Sequence, residues 1–162
     1  MLRSPEKLLS TWTTAYRFNR NPQAEFFSSD DRILGKLRDC LDKDKISYAL
    51  TLFSGATLVA PHIVDQGHAL YLGITAPHIE KFLWKLQSRL YLIPPKAGGN
   101  LRFVLPFYRS SVFRDVQILK GFKVVSNLQL YLDLAGHPPL GPDQAEWIKA
   151  RLKERKTPLL NE

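Results

Sequence analysis

The sequence holds one cysteine, Cys40, and one methionine. A single thiol excludes an intramolecular disulfide and a cysteine-built zinc site, and it fits a reducing, cytoplasmic compartment. Long hydrophobic runs are missing too. A membrane-spanning helix needs roughly 18 apolar residues in succession. The longest candidate, 46–63, is interrupted by Ser47, Thr51, Ser54, Gly55, Thr57 and Pro61-His62. The first residues carry Arg3, Glu6 and Lys7 without a small-residue cleavage site, so no secretory signal is read there. His62, His68, His78 and His137 are far apart and never at i, i+4 spacing, which argues against a metal site. No G-x-S-x-G elbow and no P-loop occurs, and Gly98-Gly99 precedes a predicted strand, the wrong context for cradling phosphate. No cofactor and no metal is expected.

What is present is an ordinary globular composition. The 162 residues are 44% hydrophobic, enough for one domain or two small ones and too much for a disordered chain. The formal charge is +8, and it is unevenly spread. Residues 1–46 carry nine bases against seven acids, whereas 81–123 carry nine bases against Asp115 alone. The stretch 149–156 adds five bases against Glu154. Such an excess means either solvated basic faces or a surface for an anionic partner.

Ser4-Pro5-Glu6 is a helix start, followed at helical spacing by Leu8, Leu9, Trp12, Ala15 and Tyr16. Asn19 to Pro22 ends it, and Glu25 to Phe27 reads as a short extended piece. Ser28 with Asp31 predicts a second helix start, with Ile33, Leu34, Leu37, Cys40 and Leu41 as its apolar stripe. Residues 46–52 read as a short buried strand or a strand–helix junction, strands are predicted at 69–74, 90–93 and 101–105, and a hairpin at 116–125 around Lys120-Gly121. Helices are predicted at 56–60, 77–87, 127–135 (capped by Ser126) and 143–155, and 157–162 as a frayed tail. Strands and helices do not alternate cleanly, so the expected class is α+β: a small helical head, 1–45, followed by a mixed β-sheet packed with helices, 46–156.

Two catalytic patterns can be tested by spacing. Pro142-Asp143 with Glu154-Arg155-Lys156 spells the PD…E-x-K pattern of metal-dependent nucleases. However, Ala145, Ile148 and Leu152 place these residues on one helix, where eleven positions separate the acids by about 16 Å, too far to share a cation. A nucleotidyltransferase needs paired carboxylates on a strand after a Gly-Ser turn. Phe53-Ser54-Gly55 supplies the turn, but Asp65 stands alone after it.

Binding candidates are better supported. Most aromatics fall at apolar-face positions and are expected in the core. Residues 107–114 differ, because a predicted loop mixes Phe107, Tyr108 and Phe113 with Arg109, Arg114 and two serines, a composition that can stack on bases or grip phosphates. The last helix presents Lys149, Arg151, Lys153, Arg155 and Lys156 on its polar side. These five, with Arg102, Arg109 and Arg114, are the candidate nucleic-acid or partner-binding residues.

Several segments together resemble the AbiEi family, antitoxins and transcriptional regulators of bacterial type IV toxin–antitoxin systems. They are Tyr48–Ala56 running into Leu58–Pro61, Val124–Leu134 with its Gln-Leu-Tyr-Leu-Asp-Leu core, and Gln144-Ala145-Glu146. The head Ser4–Leu9 with Trp12 and Tyr16, and Gly98-Gly99-Asn100, add to them. The resemblance covers about residues 5–150 and implies a cytoplasmic bacterial protein that represses its own operon through DNA. It also implies a functional link to a nucleotidyltransferase-like toxin. The family's usual DNA reader is an N-terminal winged helix. The two-helix head departs from that, so the likeness is to the family's C-terminal domain. Asp133 is the one acid in the Gln129–Leu134 segment and is expected to pair with a nearby Arg or Lys. The leading expectation is a non-enzymatic regulator that touches DNA or a partner through its basic second half. An interaction module for an acidic protein is the alternative, followed by a nuclease or nucleotidyltransferase.

Overall fold

The computed structural model describes residues 4–64 and 66–160. Arg3, Asp65 and the last two residues of the predicted tail lie outside them. Along the chain run α1 (Pro5–Ala15), β1 (Gln23–Phe26), α2 (Ile33–Lys43), β2 (Tyr48–Thr51), α3 (Leu52–Val59), β3 (His68–Leu72) and α4 (Ala76–Leu90). Then come β4 (Leu101–Val104), α5 (Arg109–Val112), β5 (Gln117–Leu119), β6 (Phe122–Val124), α6 (Asn127–Ala135) and α7 (Gly141–Glu154). The class is α+β, as expected. Among the described residues no helix is long and apolar enough to cross a membrane.

Six strands form one mixed sheet in the order β1-β4-β3-β2-β6-β5. β1 from the head lies antiparallel on β4, placing Glu25 opposite Arg102. β3 runs parallel to β4 and antiparallel to β2, and β2 pairs in parallel with β6. β2 is buried at all four positions, which is why it reads as a continuous apolar run, not an alternation. Strand side chains alternate, so Thr51 and Tyr71 face α6 while Tyr48 faces α2 and its charged residues Arg38, Asp39 and Asp42. One core joins head residues Leu9, Phe18, Leu37 and Leu41 to Leu50, Leu70, Val124, Leu130 and Ile148.

The start of α1 is the one the sequence spells, with Ser4 accepting from the Lys7 amide. Ser126 caps α6 in the same way, accepting from Gln129. Lys120 and Gly121 both have positive φ and close the β5–β6 hairpin. Other boundaries differ from expectation. The second helix begins at Ile33, because the Asp30 carboxylate takes the Arg32 amide and holds 28–32 in a turn. α3 begins at Leu52, four residues earlier than the Ser-Gly signal suggests. The predicted strand 90–93 is not one: Leu90 ends α4, Tyr91 turns into the left-handed region, and Ile93 makes an isolated bridge to Phe27. The predicted loop 107–114 contains the single helical turn α5.

Candidate nucleic-acid and partner interface

A polar cluster is buried within the apolar core. Asp133 is fully buried and accepts hydrogen bonds from Thr51 Oγ1 (2.5 Å), Tyr16 Oη (2.5 Å), Tyr71 Oη (3.0 Å to each oxygen) and Gln129 Nε2 (2.8 Å). These donors tie α1, β2 and β3 to α6. The expected Arg or Lys partner is therefore replaced by three hydroxyls and an amide. A cation at this depth would need desolvating as well, whereas hydroxyls arrive already packed on rings and strands. Burial pushes the Asp133 carboxyl up to about 6, while the four hydrogen bonds pull the other way. Desolvation and the facing carboxylate raise Tyr16 and Tyr71 well above the ordinary phenol range, so both remain donors.

The motifs of the middle segment are also committed to structure. Ser54 Oγ lies 2.9 Å from the Thr51 and Ala69 carbonyls and accepts from the Ala69 amide, bolting α3 to β3. A Cβ on Gly55 would meet Leu130 at 3.0 Å and Val124 at 3.3 Å, so glycine lets α3 approach α6 and the sheet. Asn100, after the glycine pair, donates to the Ser28 carbonyl (2.7 Å) and accepts from the Ser28 amide (2.9 Å). It acts as a side-chain strand pair between the β1–α2 loop and β4. β3 and β4 carry no Asp or Glu, and among the described residues no three His, Cys, Asp or Glu side chains cluster as metal ligands. Asp143 opens α7 beside His62 at 3.5 Å, and Glu154 ends α7 bonded to Arg151, so the two acids occupy opposite ends of one helix.

The eight candidate cations divide into two groups. Arg102 pairs with Glu25 across the β1–β4 register at 2.7 Å. Arg109 donates to the Gly73 carbonyl (2.7 Å) and Arg155 to the Val59 carbonyl at the end of α3 (2.9 Å). Arg151 bonds Glu154 (2.7 Å) and lies over the Trp147 ring, whose other neighbour is the stacked His62. Lys149, Lys153, Lys156 and Arg114 are exposed and make no side-chain hydrogen bond or ion pair among the described residues. The three lysines, at i, i+4 and i+7, form one stripe along α7 and its end.

A groove brings Trp12 and Tyr16, expected in the core, beside the 107–114 segment. Two adjoining clefts of about 350 and 460 Å³ share Trp12, Tyr16, Asn21, Tyr108 and Leu132, and run between α1, the 107–115 segment and α6. Trp12 is 38% exposed, and Phe107 and Tyr108 are 65% and 64% exposed. Arg114 lines the first cleft, Arg17 and Arg20 the second. The Trp12/Tyr16 pair, one turn apart and followed by two arginines, is the sequence signal that marks this rim.

Comparison with known proteins agrees with this architecture. The family model described as transcriptional regulator, AbiEi antitoxin, type IV toxin–antitoxin system matches residues 1–152. No curated protein matches the chain. Among solved structures, an antigenic nucleotidyltransferase-like protein from Paracoccidioides brasiliensis superposes with a TM-score of 0.50 at 13% identity, covering 80% of this chain and 78% of its own. At that identity the likeness is one of fold alone. The match over nearly the whole chain, including the Gln129–Leu134 segment that builds the buried cluster, decides the family: the chain belongs to the AbiEi antitoxins of type IV toxin–antitoxin systems.

Proposed function

We propose that this chain is a non-enzymatic, cytoplasmic antitoxin and transcriptional regulator that contacts duplex DNA through the lysine stripe of α7, with Arg114 as a further cation. The family match supports the regulator role, and the toxin it opposes is read as nucleotidyltransferase-like. The observation that carries the DNA reading is the uncommitted state of Lys149, Lys153 and Lys156 beside arginines that are all engaged within the fold. Free, flexible ammonium groups at helical spacing suit phosphate neutralisation without base readout.

The test is a salt titration of duplex DNA binding. Three or four phosphate contacts give a slope of log K against log salt between about −3 and −4. Absent binding at low salt, or a flat response, would sink the DNA reading and leave an acidic protein as the partner of this surface.

A further inference from the structure

We infer that the groove between α1 and α6 is a mononucleotide site, distinct from the lysine stripe of α7 and sharing only Arg114 with the proposed DNA surface. Three features of its walls converge on that ligand class. The shared middle of the two clefts is aromatic: Trp12 stands there 38% exposed, and Tyr108, packed edge-to-face on Phe107, stands 64% exposed, so both offer ring surface to a planar ligand. One end is cationic and carries no acid. The Arg20 guanidinium has no partner among the described residues. Arg17 uses only Nη1, on the Thr14 and Tyr16 carbonyls, so its other nitrogens remain for a phosphate.

The other end offers hydrogen-bond acceptors. Asp115 has no ion pair among the described residues. Gln129 spends its amide nitrogen on Tyr16 and Asp133, which fixes its orientation and leaves its carbonyl oxygen uncommitted. Arg114 supplies a donor beside them. An amino-bearing base matches that edge, with the ring on Trp12 and Tyr108 and the phosphates toward Arg17 and Arg20. Each cleft falls within the range of small-molecule sites, about 300–1,000 Å³.

The experiment is calorimetric titration of the full chain with ATP, inosine triphosphate and inorganic phosphate, with tryptophan fluorescence read in parallel. The expected result is saturable ATP binding with quenching, weaker binding of the inosine nucleotide, and a loss of about fivefold or more in Trp12→Ala, the lower end of what stacking on one aromatic is worth. Arg20→Gln, an exposed substitution that leaves the core untouched, is expected to weaken ATP by a similar factor. No saturable binding at millimolar ATP overturns the site. So does ATP binding unchanged in Arg20→Gln, or inorganic phosphate binding as tightly as ATP. A single-stranded oligonucleotide binding far more tightly than ATP, with the same variants weakening it, overturns the mononucleotide assignment in favour of an unpaired-strand groove.

Discussion

The Tyr71 hydroxyl lies 3.0 Å from both carboxylate oxygens of Asp133, and neither residue exposes any surface to solvent. This contact fastens the sheet to α6. It makes the Gln129–Leu134 segment a structural keystone, since Leu130, Leu132 and Leu134 flank Asp133 in the core. The donor set fits an ionised acceptor, while the burial opposes one, and the balance is what titrates.

Stability therefore depends on pH through Asp133. Its folded value of about 6 stands above the unfolded value of about 3.9. Between these, the folded state holds a proton that the unfolded state has lost, so stability declines as pH rises from about 4 to about 6. The two-unit gap corresponds to about 3 kcal/mol. In Asp133→Asn that decline is expected to vanish, because Thr51 and Tyr71 hydroxyls can turn to accept from the amide. Asp30, held below its ordinary value by Lys36 and the Arg32 amide, acts with the opposite sign in both proteins and cancels in the comparison. Chemical denaturation at pH 4, 5, 6 and 7 measures it. Parallel pH curves for the two proteins would refute the assignment.

Removing the Tyr71 hydroxyl acts on the same balance. Tyr71→Phe takes one donor from the carboxylate and is expected to cost about 1–2 kcal/mol at pH 7. It should also push the Asp133 carboxyl further up, shifting the pH-dependent loss of stability to higher pH. A destabilised variant with an unmoved pH midpoint would mean that the hydroxyl only fills space.

The Asn100 clamp gives a prediction at the other end of the sheet. Asn100→Ala leaves the Ser28 amide and carbonyl without their side-chain partner in a part-buried site, a loss of about 1–3 kcal/mol. Asn100→Asp keeps the acceptor but sets a carboxylate oxygen against the Ser28 carbonyl, so a loss at least as large as that of Asn100→Ala is expected. Thermal melts of the two variants check the order.

Local chemistry made several elements legible: the capping hydroxyls Ser4 and Ser126, the Lys120-Gly121 hairpin and the apolar stripe of α2 each report on neighbours within four residues. What stayed hidden depends on distant partners. The run 90–93 is apolar enough for a strand, but α4 continues through Leu90 and Tyr91 breaks it. The partner of Asp133 could not be read because Tyr16, Thr51 and Tyr71 lie 62 to 117 residues away. The same holds for the binding candidates. Arg102, Arg109 and Arg155 look free in sequence, and only the fold shows their carboxylate and carbonyl partners.

That division decides which α7 variants report on DNA. Replacing Lys149, Arg151 and Arg155 together, as the charge pattern suggests, would confound binding with folding: Arg155 closes the Val59 carbonyl at the end of α3, and Arg151 covers Trp147. Lys149→Ala, Lys153→Ala and Lys156→Ala touch no partner, so the melting temperature of the triple variant is expected to stay near that of the parent. Each phosphate contact contributes about 0.9 to the salt slope, so the triple variant should lower its magnitude by close to 3. Arg155→Ala should show the reverse, a lower melting temperature and a slope changed by less than one contact. A triple-lysine variant with the parent's slope would remove α7 from the interface and leave Arg114 as the cation to test next.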